Sequence, residues 1–314
     1  MSVSVEIAGV RLRNPFLAAS GTFGYGIEYE GIVDLSALGG IVSKGLYMKP
    51  RDGNPTPRIV ETPSGLLNAI GLQGVGIRAF VRDVLPRLRA YDTKIFVNVC
   101  GDTVDEYAEV TRVVDGAEGI AGVEINISCP NVEKGGMAFG GDPRATHEVV
   151  SAVRRVTRLP VIPKLSPNVG DITVLARAAE DAGADALSCV NTVLGLVIDV
   201  EKRRPSLAFG TGGLSGPAIR PIAVRMAWQA ARAVRIPVIG IGGISSVSDA
   251  LEFLIAGCRA VQVGTANFVD PGACVRLASE LATWLERHGI EDVNDVVGTL
   301  QYPGQTPPSG EENR

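Results

Sequence analysis

Histidine is nearly absent from this chain of 314 residues, which has only His147 and His288. Without a second histidine at ligand spacing, most histidine-based zinc sites and catalytic triads are excluded. The five cysteines, at positions 100, 129, 189, 258 and 274, include no close pair. Zinc ribbons and ferredoxin-type clusters need such pairs, so we expect no metal site on this chain.

Long apolar runs and a net positive charge are also lacking. No stretch approaches the ~18 apolar residues that span a bilayer, and no charged leader with an apolar core opens the sequence. We therefore expect a cytoplasmic protein with no membrane contact. The formal net charge of -4 argues against a nucleic-acid surface. What is present is 46% hydrophobic residues and 38 glycines, enough for one large core.

Short β-rich runs alternate with longer amphipathic stretches, which is typical of repeated βα units around a parallel sheet. Eight such runs predict an α/β fold of the (β/α)8 TIM barrel class. An open doubly wound sheet is the alternative, but the first βα turn lacks the Rossmann glycine fingerprint. The eight predicted strands are 15–20, 40–44, 95–100, 123–128, 161–166, 186–191, 238–242 and 260–264.

Further segments are expected outside the barrel repeat. Val3 to Ile7 and Val10 to Arg13 flank Ala8-Gly9 and predict an N-terminal β-hairpin. Two insertions, Tyr47 to Gly76 and Leu194 to Pro217, follow the second and sixth strands, on the βα-loop face where barrel enzymes hold their chemistry.

No shift in composition divides the chain. Residues 1–301 are therefore predicted to form a single domain. Residues 302–314, rich in Pro, Gly and Glu, predict a disordered tail.

Polar side chains recur at the ends of successive predicted strands. Lys44 ends the second, Asn98 the third, Asn126 the fourth and Lys164 the fifth. An unpaired ammonium group in a barrel core is costly, so two such lysines indicate an anionic ligand. The alternative is that each lysine reaches water at the barrel rim.

The last two predicted strands end in glycine, at Gly242-Gly243 and at Gly264 before Thr265. Loops in these positions commonly bind a phosphate through backbone N–H groups, and Gly216 could add another. Glycine can also be required by packing alone. A phosphate beside amides and a lysine fits FMN, whose ring system favours a nearby cation such as Lys164. The competing role for Lys164 is a Schiff base, as in barrel aldolases.

The segment Asn126 to Asn131 closes the fourth strand. Positions 123, 125 and 127 are apolar, whereas 124, 126 and 128 are polar, so a strand here would present two different faces. Cys129 follows, before a loop with glycines at 135, 136, 140 and 141 that could cover a ligand. Cys129 is therefore a candidate reactive thiol, and the alternative is a small buried hydrophobe.

With these motifs assembled, the chain resembles the class 1 dihydroorotate dehydrogenases from about Val3 to Phe268. The resemblance implies an FMN-containing (β/α)8 barrel that oxidises (S)-dihydroorotate to orotate in de novo pyrimidine biosynthesis. Class 2 relatives use a serine base where this chain has Cys129. The segments that carry the resemblance are Ala19-Ser20-Gly21-Thr22-Phe23-Gly24, Ser43-Lys44-Gly45, Asn68-Ala69-Ile70-Gly71-Leu72, Asn126 to Asn131, and Asn191-Thr192.

The resemblance also implies roles for individual residues. Cys129 is the implied general base. The implied FMN contacts are Ser20, Lys44, Gly45, Asn98, Asn126, Lys164, Val190, Gly216, Gly242, Gly243, Gly264 and Thr265. The implied substrate contacts are Lys44, Asn68, Ala69, Ile70, Gly71, Leu72, Asn126, Asn191 and Thr192.

Two segments, Asn131 to Gly140 and Gly212 to Pro217, resemble the 1B branch of the family. That branch implies an electron-transfer subunit with FAD and a 2Fe–2S cluster, which passes electrons to NAD, in a heterotetramer of two catalytic and two electron-transfer subunits around a homodimer core. The alternatives are a fumarate-reducing 1A homodimer, a flavin dihydropyrimidine dehydrogenase, a Schiff-base aldolase using Lys164, and a noncatalytic phosphate-binding barrel.

Overall fold

A closed barrel of eight parallel strands forms the centre of the protein. The computed structural model describes residues 1–128 and 140–303. In chain order, the strands of this part are β1 Val5–Ile7, β2 Val10–Leu12, β3 Phe16–Ala18, β4 Gly40–Val42, β5 Ile59–Thr62, β6 Gly65–Asn68, β7 Lys94–Val99, β8 Gly122–Asn126, β9 Val161–Leu165, β10 Leu187–Cys189, β11 Val193–Gly195, β12 Ile198–Asp199, β13 Arg204–Pro205, β14 Gly212–Ser215, β15 Val238–Ile241 and β16 Ala260–Val263.

The barrel runs in chain order through β3, β4, β7, β8, β9, β10, β15 and β16. It closes where β16 pairs in parallel with β3, Val263 beside Ala18. All eight barrel strands fall on the predicted runs, so the (β/α)8 TIM barrel is confirmed. Several predicted runs extend past the observed strand, and their last residues, such as Ser20, Lys44 and Asn191, lie at the barrel mouth.

Helices cover the outside of the barrel, and several begin at a side-chain cap. The hydroxyl of Thr103 and the carboxylates of Asp142 and Asp171 each accept a backbone N–H of the first turn. The described helices are α1 Ile77–Ala79, a π-helix Phe80–Val84, α2 Leu85–Leu88, α3 Val104–Asp115, α4 Pro143–Arg154, α5 Ile172–Asp181, α6 Arg220–Ala233, α7 Val247–Ile255, α8 Ala266–Val269 and α9 Ala273–Arg287, with 3-10 turns at Ile27–Tyr29, Leu35–Ala37, Pro217–Ile219 and Val293–Val296.

The predicted N-terminal hairpin is also confirmed. β1 pairs antiparallel with β2, Val5 opposite Leu12. The turn between them places Ala8 at φ 50 and Gly9 at φ 79, both in the left-handed region that a tight two-residue turn requires.

The two insertions combine into one small sheet, a pairing that sequence analysis did not predict. β5 and β6 come from the first insertion, and β11 and β14 from the second. They form an antiparallel sheet in the order β11, β14, β6, β5, with Gly213 opposite Asn68. Segments separated by more than a hundred residues therefore build a shared wall above the barrel mouth.

The predicted tail lies mostly outside the described residues, since 304–314 are not described. Of its first residues, Tyr302 stacks on Trp228, with ring centroids 4.8 Å apart. None of the helices described here is both long and apolar enough to cross a membrane.

We predict that Gly240→Ala destabilises the barrel. A Cβ atom on Gly240, in the buried strand β15, would lie 2.4 Å from Phe253 Cδ1 of α7. Because close-packed interiors resist added volume, we expect a loss of about 1–3 kcal/mol in the free energy of unfolding, measured by urea denaturation. Gly170→Ala is the matched control, because a Cβ there meets no atom within 4 Å. Equal stability of the two variants would contradict the prediction.

Candidate active site

A cavity of about 470 Å³ lies at the carboxyl ends of the barrel strands. Residues just after β3, β4, β10, β15 and β16 line it, together with side chains at the ends of β8 and β9. The sheet built from the two insertions supplies a further wall, including Asn68 and Ser215. This is the face of a barrel on which loops carry chemistry, as the sequence predicted.

Most of the residues assigned from the sequence meet in this one cavity. From the cofactor set, the lining residues are Ser20, Lys44, Gly45, Asn126, Lys164, Val190, Gly216, Gly242, Gly243, Gly264 and Thr265. From the substrate set, they are Lys44, Asn68, Ile70, Gly71, Leu72, Asn126, Asn191 and Thr192. Cys129 lies outside the described residues, as does the glycine-rich loop up to residue 139.

Two assigned residues do not line the cavity. Asn98 is fully buried inside the barrel, where its Nδ2 donates to Glu124 Oε1 at 2.7 Å. Ala69 is also fully buried and belongs to a small apolar cluster with Leu67 and Leu207. For Asn98, the position at the end of a predicted strand did not distinguish a side chain that lines the cavity from one behind its wall.

Two lysines supply positive charge to the cavity. Lys164 is only 6% exposed, and its ammonium group makes no hydrogen bond or salt bridge with any described residue. Lys44 likewise has no such partner in the described part of the chain. Burial lowers the pKa of Lys44, the charge of Arg58 lowers it further, and the nearby Glu28 opposes both effects. Unpaired buried ammonium groups are costly, so the cavity is suited to an anionic ligand.

Amide side chains in the cavity wall are held by hydrogen bonds. Asn191 Nδ2 donates to Ser128 Oγ at 2.9 Å, and its Oδ1 accepts from the Thr192 backbone at 2.8 Å. Asn68 Nδ2 donates to the Gly213 carbonyl oxygen at 3.2 Å, across the sheet of the two insertions. Fixed amides of this kind can orient a ligand that has both N–H and C=O groups.

Glycines at one end of the cavity expose the backbone. Gly216, Gly242 and Gly243 have φ values of 92, 134 and 74, a region that other residues rarely adopt. A Cβ on Gly242 would lie 2.6 Å from Ala223 Cβ, so packing alone requires glycine there. A Cβ on Gly264, by contrast, would approach no atom closer than 3.8 Å. Packing does not explain Gly264, which leaves its backbone open to a ligand.

Sequence reasoning missed several residues of the site. Glu28, Tyr29 and Phe268 line the cavity, and no motif in the sequence pointed to them. Behind the cavity, a polar network that sequence reasoning also missed lies inside the barrel and consists of Glu124, Ser188 and Gln262. For Glu124 a signal existed, because it shares the parity of Asn126 on β8.

Comparison with known proteins agrees with this geometry. A family model described as Dihydroorotate dehydrogenase matches residues 2–285. The chain belongs to the dihydroorotate dehydrogenase family. The resemblance inferred from the sequence motifs is therefore confirmed.

Individual relatives cover nearly the whole chain. A protein from Geobacter sulfurreducens is 60% identical over 95% of this chain and 98% of its own length. Another, from Geotalea uraniireducens, is 57% identical with the same coverage. Both carry the name "Dihydroorotate dehydrogenase B (NAD(+)), catalytic subunit". The B branch is the one that the segments 131–140 and 212–217 predicted.

Behind the glycine-lined end of the cavity, Asp249 holds the loop that follows β15 through hydrogen bonds. It is 5% exposed and accepts from the Ser245 and Ser246 backbones at 2.9 and 2.8 Å. Its other oxygen accepts from the Arg220 guanidinium at the start of α6. Burial raises the pKa of Asp249, but the donors from Ser245 and Ser246 outweigh burial, so its pKa lies below the usual value.

We predict that Asp249→Asn lowers stability at pH 7 by about 1.5–3 kcal/mol, since hydrogen bonds to a charged group are lost. The folded pKa of Asp249 is depressed, so its stabilisation is present above the unfolded pKa of ~3.9 and is lost as pH falls through the folded value. The difference from wild type should therefore shrink when urea denaturation is repeated near pH 3. The matched control is Asp83→Asn, at a solvent-exposed pair with Arg82 that should have no measurable effect. A difference that does not depend on pH would contradict this account.

Proposed function

We propose that this protein binds FMN and oxidises (S)-dihydroorotate to orotate, the step its relatives' names describe. The observation that carries the proposal is the content of a single cavity. Two ammonium groups without a partner among residues 1–128 and 140–303, fixed amides and a glycine-rich backbone meet at the barrel mouth. The chain around this cavity is 57–60% identical to two catalytic subunits of dihydroorotate dehydrogenase B.

The residues present fit FMN. Gly216, Gly242, Gly243 and Gly264, with Thr265, would hold its phosphate through backbone N–H groups. Lys164 would lie near the ring and balance negative charge there, and Ser20, Gly45, Asn126 and Val190 would complete the contacts. The buried Oδ1 of Asn126 has no partner among the described residues, so an acceptor is left for a ligand N–H. When bound, FMN supplies the acceptor for the hydride that leaves C6 of the substrate.

The opposite side of the cavity would bind the substrate. Lys44 would hold the carboxylate of dihydroorotate, and Asn68, Asn126 and Asn191 would bond its polar edges. Further contacts would come from Thr192 and from the backbone of Ile70 to Leu72, the residues after Ala69 that line the cavity. Because hydrogen bonds within the protein already fix these amides, little side-chain conformational entropy would be lost on binding.

Cys129 would act as the general base. It directly follows Ser128, whose hydroxyl accepts from the wall residue Asn191. We infer that the Cys129 thiolate removes the C5 proton while Lys44 holds the carboxylate in place. A thiol has an unperturbed pKa of ~8.5, so a thiolate fraction exists near neutral pH.

The electrons would leave through a partner. We infer a cytoplasmic heterotetramer of two catalytic and two electron-transfer subunits on a homodimer core. The partner subunit would carry FAD and a 2Fe–2S cluster and reduce NAD. What supports this is the designation of the relatives as catalytic subunits of an NAD(+) enzyme.

The first test is an anaerobic titration of the FMN-loaded protein with dihydroorotate and, separately, with dihydrouracil. The loss of oxidised flavin absorbance is the measured signal. Dihydroorotate should bleach the flavin, and dihydrouracil, which lacks the carboxylate that Lys44 would bind, should not. Bleaching by dihydrouracil alone would instead favour a dihydropyrimidine dehydrogenase. A protein that FMN cannot reconstitute would contradict the proposal as a whole.

Cys129→Ala should retain FMN but reduce it with dihydroorotate at least ~10²-fold more slowly, which is the usual contribution of a positioned base. In the wild type, the rate should rise with pH as the thiol ionises. Cys129→Ser keeps a similar shape and should also be slow, because a hydroxyl is the weaker base. Stopped-flow absorbance measures all three. Near-normal reduction by the alanine variant would remove Cys129 from the mechanism.

Lys164→Ala should weaken FMN binding about 10–100-fold through loss of a charge-assisted contact. The affinity is measured by quenching of flavin fluorescence when FMN is added to the apoprotein. Lys94→Ala is the control, since Lys94 is exposed at the start of β7. Unchanged FMN affinity, together with borohydride trapping of a carbonyl substrate on Lys164, would favour the aldolase alternative.

A further inference from the structure

The carboxylate of Glu124 lies inside the barrel, and the proposed reaction gives it no role. Its side chain is 1% exposed. Donors from three other strands converge on it. Asn98 Nδ2 lies 2.7 Å from Oε1, while Ser188 Oγ and Gln262 Nε2 lie 2.8 and 2.6 Å from Oε2. A buried carboxylate is costly unless it is well paired. Packing of the surrounding apolar core therefore does not explain why position 124 carries a carboxylate.

The direction of hydrogen bonding runs from Glu124 to the cavity. Because both carboxylate oxygens accept, Asn98 must turn its NH2 group toward Glu124. The Asn98 carbonyl oxygen then accepts from Asn126 Nδ2 at 3.2 Å and from the Cys100 thiol at 3.6 Å. The NH2 group of Asn126 is thus directed toward the barrel interior. Its Oδ1 is the end left without a partner among the described residues, in a side chain that lines the cavity.

An asparagine amide has nearly the same shape at its donor and acceptor ends. A pair of asparagines could therefore hydrogen-bond in either direction if nothing fixed one end. A carboxylate at the inner end allows only one direction. In the reverse direction, Asn126 would present NH2 to the cavity, and a ligand N–H placed there would face a second donor.

We propose that Glu124 is a positioning residue, which orients Asn98 and Asn126 so that the cavity presents an acceptor to an N–H group of the ligand. The inference rests on the proposed function, which supplies two ligands of this chemistry. The oxidised flavin ring carries one N–H group, and the dihydroorotate and orotate rings carry two. Glu124 itself touches neither ligand and acts through the two amides.

Glu124→Gln tests the direction without changing size. Ser188 and Gln262 still donate toward the former Oε2, so the introduced carbonyl faces them and the introduced NH2 faces Asn98. The opposite placement would leave an NH2 group of Gln262 buried without an acceptor, which is the costlier arrangement. The side-chain amide of Asn98, and then that of Asn126, must therefore exchange the positions of its oxygen and its NH2 group. Affinity for the N–H ligand should fall at least ~10-fold, as one hydrogen bond is replaced by facing donors.

The double variant Glu124→Gln with Gln262→Glu should restore binding. Here the carboxylate at position 262 accepts from the introduced NH2 group, which turns the introduced carbonyl back toward Asn98. The original direction through Asn98 and Asn126 returns, and we expect affinity within about twofold of wild type. Both variants keep the volume of the core, so a purely structural role for Glu124 predicts no rescue.

Two binding measurements, neither of which needs turnover, separate the ligands. FMN affinity is measured on the apoprotein by fluorescence quenching. Orotate affinity is measured on the flavoprotein by the change in flavin absorbance. A loss confined to FMN assigns the acceptor to the flavin, and a loss confined to orotate assigns it to the pyrimidine ring. Either loss, with rescue in the double variant, supports the proposal.

Several outcomes overturn it. The first is a Glu124→Gln variant that binds both ligands as tightly as the wild type. The second is a folded double variant that binds as weakly as the single one. Failure of both variants to fold, judged by thermal unfolding, also counts against it, whereas a double variant that alone folds and binds supports it. Wild-type protein that binds neither FMN nor orotate overturns the proposed function and this inference with it.

Discussion

The closure of eight parallel strands is the constraint on which the rest of the structure depends. Once β16 pairs with β3, the carboxyl ends of all eight strands must lie on one rim. Residues from Ser20 to Thr265, separated along most of the chain, are thereby brought to the same cavity. No local interaction could do this, because the lining residues are contributed one or two at a time by successive βα units.

Closure also creates an interior that must be filled. Most inward positions could be apolar, yet this barrel contains a carboxylate, two amides and a hydroxyl in mutual hydrogen bonds, at Glu124, Asn98, Gln262 and Ser188. Such a network is stable only when its donors and acceptors match, so it orders the side chains that belong to it. One end of the network reaches the cavity through Asn126. The polar interior is thus continuous with the cavity at the barrel mouth.

The small sheet above the barrel mouth shows a second level of organisation. An isolated hairpin is only marginally stable in water, but here β6 of the first insertion pairs with β14 of the second. Leu67 from the first insertion and Leu207 from the second are buried in one apolar cluster. The pairing holds Asn68 against Gly213 on the cavity wall. Variation in these loops could change the ligand without disturbing the barrel, since the two are built from separate hydrogen-bonded sheets.

The barrel, its hairpin and most of the cavity lining could be predicted from the amino-acid sequence. Strand alternation and glycine positions are local signals, and motifs such as Ser43-Lys44-Gly45 identified the family. The folded structure was needed to show that Asn98 and Ala69 lie behind the cavity wall and that Glu28, Tyr29 and Phe268 line the cavity. It was also needed to show that the two insertions pair. Parity tells which side of a strand a residue occupies, but whether it meets a ligand or another side chain depends on strands distant in sequence.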